Sequence, residues 1–314
     1  MPLFLLHRLR TAINWAATPL GFAIERIPKR KWHHENSILE TKVGRFVIQI
    51  PGINPLSWHY DVYPEFGGQL GCLTSVVKKK YPQLAVIDVG ANVGDTACII
   101  KTAEDVPVLC IEGDDKTFIF LQKNLAQFQN TTAHKLFLGE KTGVIAAAVE
   151  KTGWNTTINP GTAQAKESIR VVRLDEFIVT QPAWENFKLL KIDTEGFDCA
   201  ILRGSTNYLR QVSPVIFFEY NRENMDAIGE PGLDTLFGLA ELGYSRIAFH
   251  DNAGRLVAAT TLDDREVIKD LHGYADGKNA EIYYYDLTVF HERDTDLAMK
   301  FLEIERARRI AAQA

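Results

Sequence analysis

The stretch from Leu84 to Thr96 constrains this chain more than any other. An apolar run, Leu84–Val89, gives way to Gly90-Ala91-Asn92-Val93-Gly94-Asp95 and then to a helix-forming segment through about Thr102. A short apolar run closed by a glycine turn and a helix opens a βα unit. The pattern recurs. Val108–Ile111 ends at Glu112 and is followed by a helix to about Phe128. Leu189–Ile192 ends in Asp193-Thr194-Glu195-Gly196, Val215–Phe218 ends at Glu219, and Tyr244–Phe249 follows a helical segment stopped at Gly243. Strands alternating with helices predict an α/β fold: a mostly parallel sheet with helices on both faces.

The remaining segments fit around that sheet. Residues 42–50 read as a strand ending at Pro51, and 51–67, with Gly, Pro and aromatics out of period, as an irregular connection. Leu73, Val76 and Val77 mark a helix after Gly71. Residues 134–138 and Val144–Val149 read as strands, and polar Glu150–Glu167, with Trp154 isolated in it, as a long surface loop. Ile169–Val172 resumes a strand, and Ile282–Val289 reads as an antiparallel strand at the sheet edge. With no internal repeat, the expected organisation is an N-terminal extension and substrate or oligomer segment (1–75), one catalytic domain (76–291) and a C-terminal helix (292–314).

Charge narrows the partners. The 314 residues hold 35 basic and 40 acidic side chains, a net charge of -5. No overall positive surplus exists to neutralise nucleic-acid phosphates, so a general nucleic-acid binder is not expected. Residues 1–31 differ, with Arg8, Arg10, Arg26, Lys29, Arg30 and Lys31 against Glu25 alone. No apolar run there reaches the roughly 18–20 residues of a spanning helix. The segment is either an interfacial helix making peripheral membrane contact or a helix packed on the main domain or in a homo-oligomer. The cysteines at 72, 98, 110 and 199 have no metal-like spacing. A reducing, cytoplasmic setting is expected, membrane-associated if the first segment binds lipid.

The glycine turn faces a predictable ligand. Gly90 and Gly94 allow a tight turn and a close ligand approach, and the following helix aims unpaired N–H groups at the same crevice. Glu112, ending the next strand, can accept hydrogen bonds from both hydroxyls of a ribose. Gly139 and Glu140, ending the third strand, either border the base or form a plain hairpin turn. Asn92 stands where G-x-G-x-x-G would need glycine, so the spacing is G-x-x-x-G. Asp88 adds negative charge, which suits an amino-acid ammonium better than a pyrophosphate. Both features favour S-adenosylmethionine over NAD.

VIDVGANVGDT (86–96), LQKNL (121–125), RLDEF (173–177), LLKIDTEGFDCAILRG (189–204) and PVIFFEYN (214–221) resemble the motifs of FkbM-type methyltransferases. The resemblance covers residues 80–245. It implies a Rossmann-like class I sheet of seven mostly parallel strands with one antiparallel edge strand. It also implies O-methylation, usually of a sugar hydroxyl in a glycan, glycolipid or polyketide glycoside, with Asp88, Gly90, Asn92, Gly94 and Glu112 holding S-adenosylmethionine. Gly113 departs from the family pattern, where proline commonly follows the acid, and predicts a looser turn.

Methyl transfer to an unactivated hydroxyl needs in-line geometry and a base or a metal. Asp193 and Glu195 fall on one side if the strand stays extended past Ile192, and Glu219 ends the next strand at the same edge. The three carboxylates either supply the base or hold Mg²⁺. Against that, Glu195 can cap a helix and Asp193 can accept backbone N–H groups. His250, ending the strand at 244–249, is a further base candidate. His59 and Tyr60 form a candidate acceptor lid. Trp154 and Asn155 form a candidate sugar platform, or a tryptophan anchoring its own loop. Two other functions fit less well: an NAD-dependent oxidoreductase or epimerase, and a non-catalytic nucleoside-binding interaction protein.

Overall fold

A computed structural model of the chain describes residues 37–63, 66–152, 155–160, 167–276 and 282–311, all within one compact unit. The basic segment 1–31 and Trp154 lie outside the described residues. The chain enters as an antiparallel hairpin, β1 (Ile38–Val43) and β2 (Phe46–Pro51), which turns at Gly44. The segment expected to be irregular contains helix α1 (Leu56–Val62), and α2 (Gly68–Lys80) follows. Then come β3 (Ala85–Val89), α3 (Asp95–Ala103), β4 (Val108–Glu112), α4 (Asp115–Leu125) and β5 (Thr131–Lys135).

The expected polar loop is a correction. A second sheet is made of β6 (Phe137–Leu138), β7 (Gly143–Thr152), β8 (Asn155–Pro160) and β9 (Glu167–Val172), in the order β6-β9-β7-β8. Its Thr-rich composition looks loop-like by polarity, yet β-branched threonine favours strands on a sheet with a solvated face.

The chain continues through α5 (Leu174–Ile178), β10 (Phe187–Ile192), α6 (Asp198–Arg203), α7 (Thr206–Val212) and β11 (Val215–Tyr220). After α8 (Arg222–Ile228) and α9 (Gly232–Ala240) come β12 (Tyr244–Asp251) and β13 (Leu256–Thr261). Helix α10 (Arg265–Tyr274), β14 (Tyr285–His291) and α11 (Thr295–Ala311) complete it.

The main sheet overturns the expected seven strands with an antiparallel edge. It has eight strands in mixed orientation, ordered β13-β12-β14-β11-β10-β3-β4-β5. Strands β5, β4, β3, β10 and β11 run parallel; β14 opposes both β11 and β12, and β13 opposes β12. The tail strand is therefore interior. Every residue of β14 except Asp286 is buried, which suits a strand with a neighbour on each side and helices above and below.

Side-chain parity decides what each face holds. Ala85, Ile87 and Val89 of β3 join a core with Leu190, Phe218, Leu209 and Leu236, on the α6, α7 and α9 side. Leu84, Val86, Leu189 and Phe217 join the opposite core with Leu73, Ile100 and Phe301, on the α2, α3 and α11 side. Fully burying each such side chain stabilises the fold by roughly 1.5–3 kcal/mol. Two of the sequence motifs act here. In LQKNL, buried Asn124 donates to the carbonyls of Val93 (2.7 Å) and Gln49 (2.8 Å), tying the glycine turn to β2. In RLDEF, Asp175 accepts from the amides of Asn207 and Tyr208, capping α7 rather than its own helix.

Candidate active site

A cavity of about 340 Å³ opens at the C-terminal ends of β3, β4, β10 and β11, within the size range of small-molecule pockets. Its wall includes Asn92, Glu112, Gly113, Phe137, Ile145 and Val171. It also includes Asp193, Glu195, Glu219, Tyr284, His59 and Phe66.

The turn between β3 and α3 is built by left-handed backbone. Gly90, Asn92 and Gly94 have φ of +71, +47 and +91, and asparagine is among the few side chains that accept this region. The glycines make room for protein rather than for ligand. A Cβ on Gly90 would fall 1.8 Å from the Asp193 carbonyl oxygen, and one on Gly94 would press on Leu121 and Leu125. The turn thereby presents the Asn92 amide inward, and it donates to Glu112 Oε2 at 3.0 Å. Asp114 N donates to Glu112 Oε1 at 2.8 Å. Two backbone bonds fix the carboxylate and leave lone pairs for two further donors. Burial pushes the Glu112 carboxyl up to about 7, against these two bonds, which lower it. The looseness expected at Gly113 does not occur: the Phe137 ring lies where its Cβ would be, 2.1 Å from Cε1.

Asp88 is placed differently from expectation. It shares the parity of Leu84 and Val86, is fully buried, and does not line the cavity. It stands directly across from Lys191 on β10 and pairs with its ammonium at 3.0 Å. Burial works against the Lys191 charge, but Asp88 and Asp193 outweigh it and hold the ammonium above its ordinary range. Lys191 also donates to the Gly90 carbonyl at 3.0 Å, so the pair locks the glycine turn from beneath. A charge inside an apolar strand was the signal for this pairing. Asp95, which the sequence reading passed over, lines the cavity where Asp88 does not.

The wall beyond β10 and β11 rests on another consequence of parity. Two residues beyond Lys191 on its face is Asp193. Glu219 of β11 lies opposite Asp286 of β14, which accepts from Gln69 Nε2 at 3.0 Å. These acids crowd one another. Burial, then Asp193 and Glu195, push Glu219 well above the carboxylate range, and its buried Oε2 has no hydrogen-bond partner among the described residues. Burial and then Asp193 raise Asp286 to about 8 and Glu195 to about 7.

Extended geometry does not persist past Ile192, because Glu195 has φ +54 and Gly196 φ +104. Both Asp193 and Glu195 nevertheless reach the cavity. Asn224 Nδ2 donates to Glu195 Oε2 at 2.8 Å, an approach that depends on Gly196, where a Cβ would meet the Asn224 backbone at 2.9 Å. The turn-capping role considered for Asp193 and Glu195 falls to buried Asp198, which accepts from Thr194 Oγ1 (3.1 Å) and Gly196 N (3.3 Å).

The other candidates divide. His59 lines the cavity, whereas Tyr60 turns away to donate its hydroxyl to Asp95 Oδ2 at 3.1 Å. His250 is a correction: it is fully buried beneath α11, 3.5 Å from Glu305 and beside the Phe301 ring, outside the cavity wall. Gly139 and Glu140 are also absent from the wall. Glu140 pairs with Arg203 at 2.9 Å, and Gly139 packs against Gly204. Asn155 starts β8. Among the described residues no three His, Cys, Asp or Glu side chains are grouped to hold a metal ion, so the Mg²⁺ expectation gains no site. The cysteines are free, with Cys98, Cys110 and Cys199 buried. No described helix is long and apolar enough to cross a membrane.

A carboxylate held at the end of β4, a glycine turn before a helix, and acids beyond β10 and β11 meet in one cavity at the strand ends, where open α/β sheets bind ligands. The profile of the methyltransferase FkbM domain matches residues 88–246, just over half of the chain. The chain belongs to this family of S-adenosylmethionine-dependent methyltransferases. No curated protein matches it. Among solved structures it is similar to the methyltransferase FkbM of Methylobacillus flagellatus KT, at 16% identity over 75% of this chain and 51% of that one, with a TM-score of 0.40. The chain thus spans about half the length of that protein. It is also similar to a precorrin-6y C5,15-methyltransferase of Geobacter metallireducens GS-15, at 12% identity over 70% and 86% of the two chains, with a TM-score of 0.36.

Proposed function

We propose that this protein methylates a hydroxyl oxygen on a sugar, glycan or glycosylated metabolite. The observation that carries the reading is that Glu112, fixed by two backbone amides, shares one cavity with Glu195 and Glu219. The Glu112 oxygens accept the ribose hydroxyls, and the apolar wall of Phe137, Ile145 and Val171 takes the adenine. S-adenosylmethionine, when bound, supplies an electrophilic methyl on a sulfonium.

The chain's own residues prepare the acceptor. Glu195, raised to about 7, takes the hydroxyl proton, because a base poised near the operating pH works best. Asn224 holds the other side of that carboxyl in place. Glu219, kept neutral by burial and its acidic neighbours, donates a hydrogen bond to orient the acceptor oxygen. His59 and Phe66 border the same space and offer faces to a sugar ring.

The test is transfer of labelled methyl to glycan and lipid extracts, with EDTA and with added Mg²⁺. Label recovered in an alkali-stable ether on a sugar, with or without EDTA, supports the reading. Label confined to amines, or no transfer to any fraction, overturns it.

A further inference from the structure

We infer that Asp95, held by Tyr60, is the group that receives the ammonium of the cofactor's amino-acid end; this rests on the cavity being the S-adenosylmethionine site. The sequence pattern offers that role to Asp88, but Asp88 is fully buried, paired with Lys191, and absent from the cavity wall. Asp95 is the first residue of α3, follows the left-handed Gly94, and lines the same cavity as Asn92, Thr96 and His59.

Its surroundings fit a cationic ligand. Asp95 is only 7% exposed, and among the described residues it has no ion-pair partner. A buried carboxylate without a counter-ion is costly, and a ligand ammonium supplies the missing charge while leaving the Tyr60 bond intact. Burial raises the group to about 6, and the Tyr60 hydroxyl and the more distant Lys191 draw it back toward ionisation. Tyr60 is a positioning residue: it reaches Asp95 from α1, outside residues 88–246, and orients the carboxylate with a 3.1 Å hydrogen bond. The sign of the site follows from geometry. The amide cluster at the start of α3 suits the ligand's carboxylate, and Asp95 beside it suits the ammonium.

The test compares S-adenosylhomocysteine with 5′-methylthioadenosine, which keeps the nucleoside and lacks the amino-acid end. Calorimetry on the full chain, on Asp95→Asn and on Tyr60→Phe reads both ligands. The expected result is roughly 10- to 100-fold weaker S-adenosylhomocysteine binding for Asp95→Asn and about 2- to 10-fold for Tyr60→Phe, with methylthioadenosine within twofold in both. Equal losses for the two ligands would show a structural role only and overturn the inference, as would unchanged S-adenosylhomocysteine binding. If the unsubstituted chain binds methylthioadenosine and S-adenosylhomocysteine equally well, the inference fails and the cofactor site stands; if it binds neither, both fail.

Discussion

The proposed nucleoside and acceptor ends of the cavity hold their carboxyl groups in different ways. At the nucleoside end, Glu112 is held by two backbone amides, and beneath the turn Asp88 is held by Lys191, so both side chains are positioned by the fold. At the acceptor end, Glu195 and Glu219 crowd with Asp193 and with Asp286 behind the wall; Asn224 and Gln69, which reach Glu195 and Asp286, carry no charge, and the Lys191 ammonium lies 3.8 Å from Asp193. The first arrangement is preorganised for recognition. In the second, burial and neighbouring acids raise Glu195, Glu219 and Asp286, the condition that the proposed acid–base chemistry requires.

Breaking the acceptor end should have the largest effect. Glu195→Gln is expected to lower labelled-methyl transfer by roughly 10²- to 10⁴-fold while S-adenosylhomocysteine binding stays within twofold. A matching loss of binding would erase the distinction between the two ends. In the parent protein, transfer should rise with pH through about 7 as Glu195 loses its proton.

Breaking the nucleoside end comes next. Glu112→Ala removes two acceptors for ribose hydroxyls and is expected to weaken S-adenosylhomocysteine by about 10²-fold in calorimetry, since hydrogen bonds to charged groups contribute roughly 1.5–3 kcal/mol. Unchanged affinity would place the nucleoside elsewhere. Gly113→Ala should cost roughly 1–3 kcal/mol in denaturant unfolding, because the Phe137 ring already fills the space. No loss would mean that the ring yields readily.

A smaller effect sharpens the contrast. Asp286 and Asp198 have folded values of about 8 and about 7, above the ordinary aspartate range. The folded state therefore binds more protons than the unfolded chain, so the stability these groups contribute is full at low pH and is lost as pH rises through 7 to 8. Asp286→Asn should flatten that decline in thermal unfolding. A steeper decline would reverse the sign assigned to this cluster.

Much of this was legible in the residues, and the failures have physical causes. Strands β3, β4, β10 and β11 follow from their apolar runs, and the acids ending them follow from position. Residues 150–152 and 155–160 look like loop by polarity, whereas their β-branched threonines favour the strands they form. The tail strand was sent to the edge because nothing local tells an interior antiparallel strand from an edge one. Asp95 carried a signal, an acid directly after the second turn glycine, but Asp88 satisfied the same expectation first.

The sequence by itself determined the order of strands and helices, the glycine turn and the acids at the strand ends, because local pattern and backbone sterics act over a few residues. Only the tertiary structure decided where those acids point and what they meet. Parity and cross-strand register put Asp88 against Lys191 inside the sheet. Helix α11 closed over His250, and Asn224 came to Glu195 from a helix 29 positions away. Burial and neighbouring charge, which set how strongly each carboxyl holds its proton, arise from contacts between distant segments that no local pattern encodes.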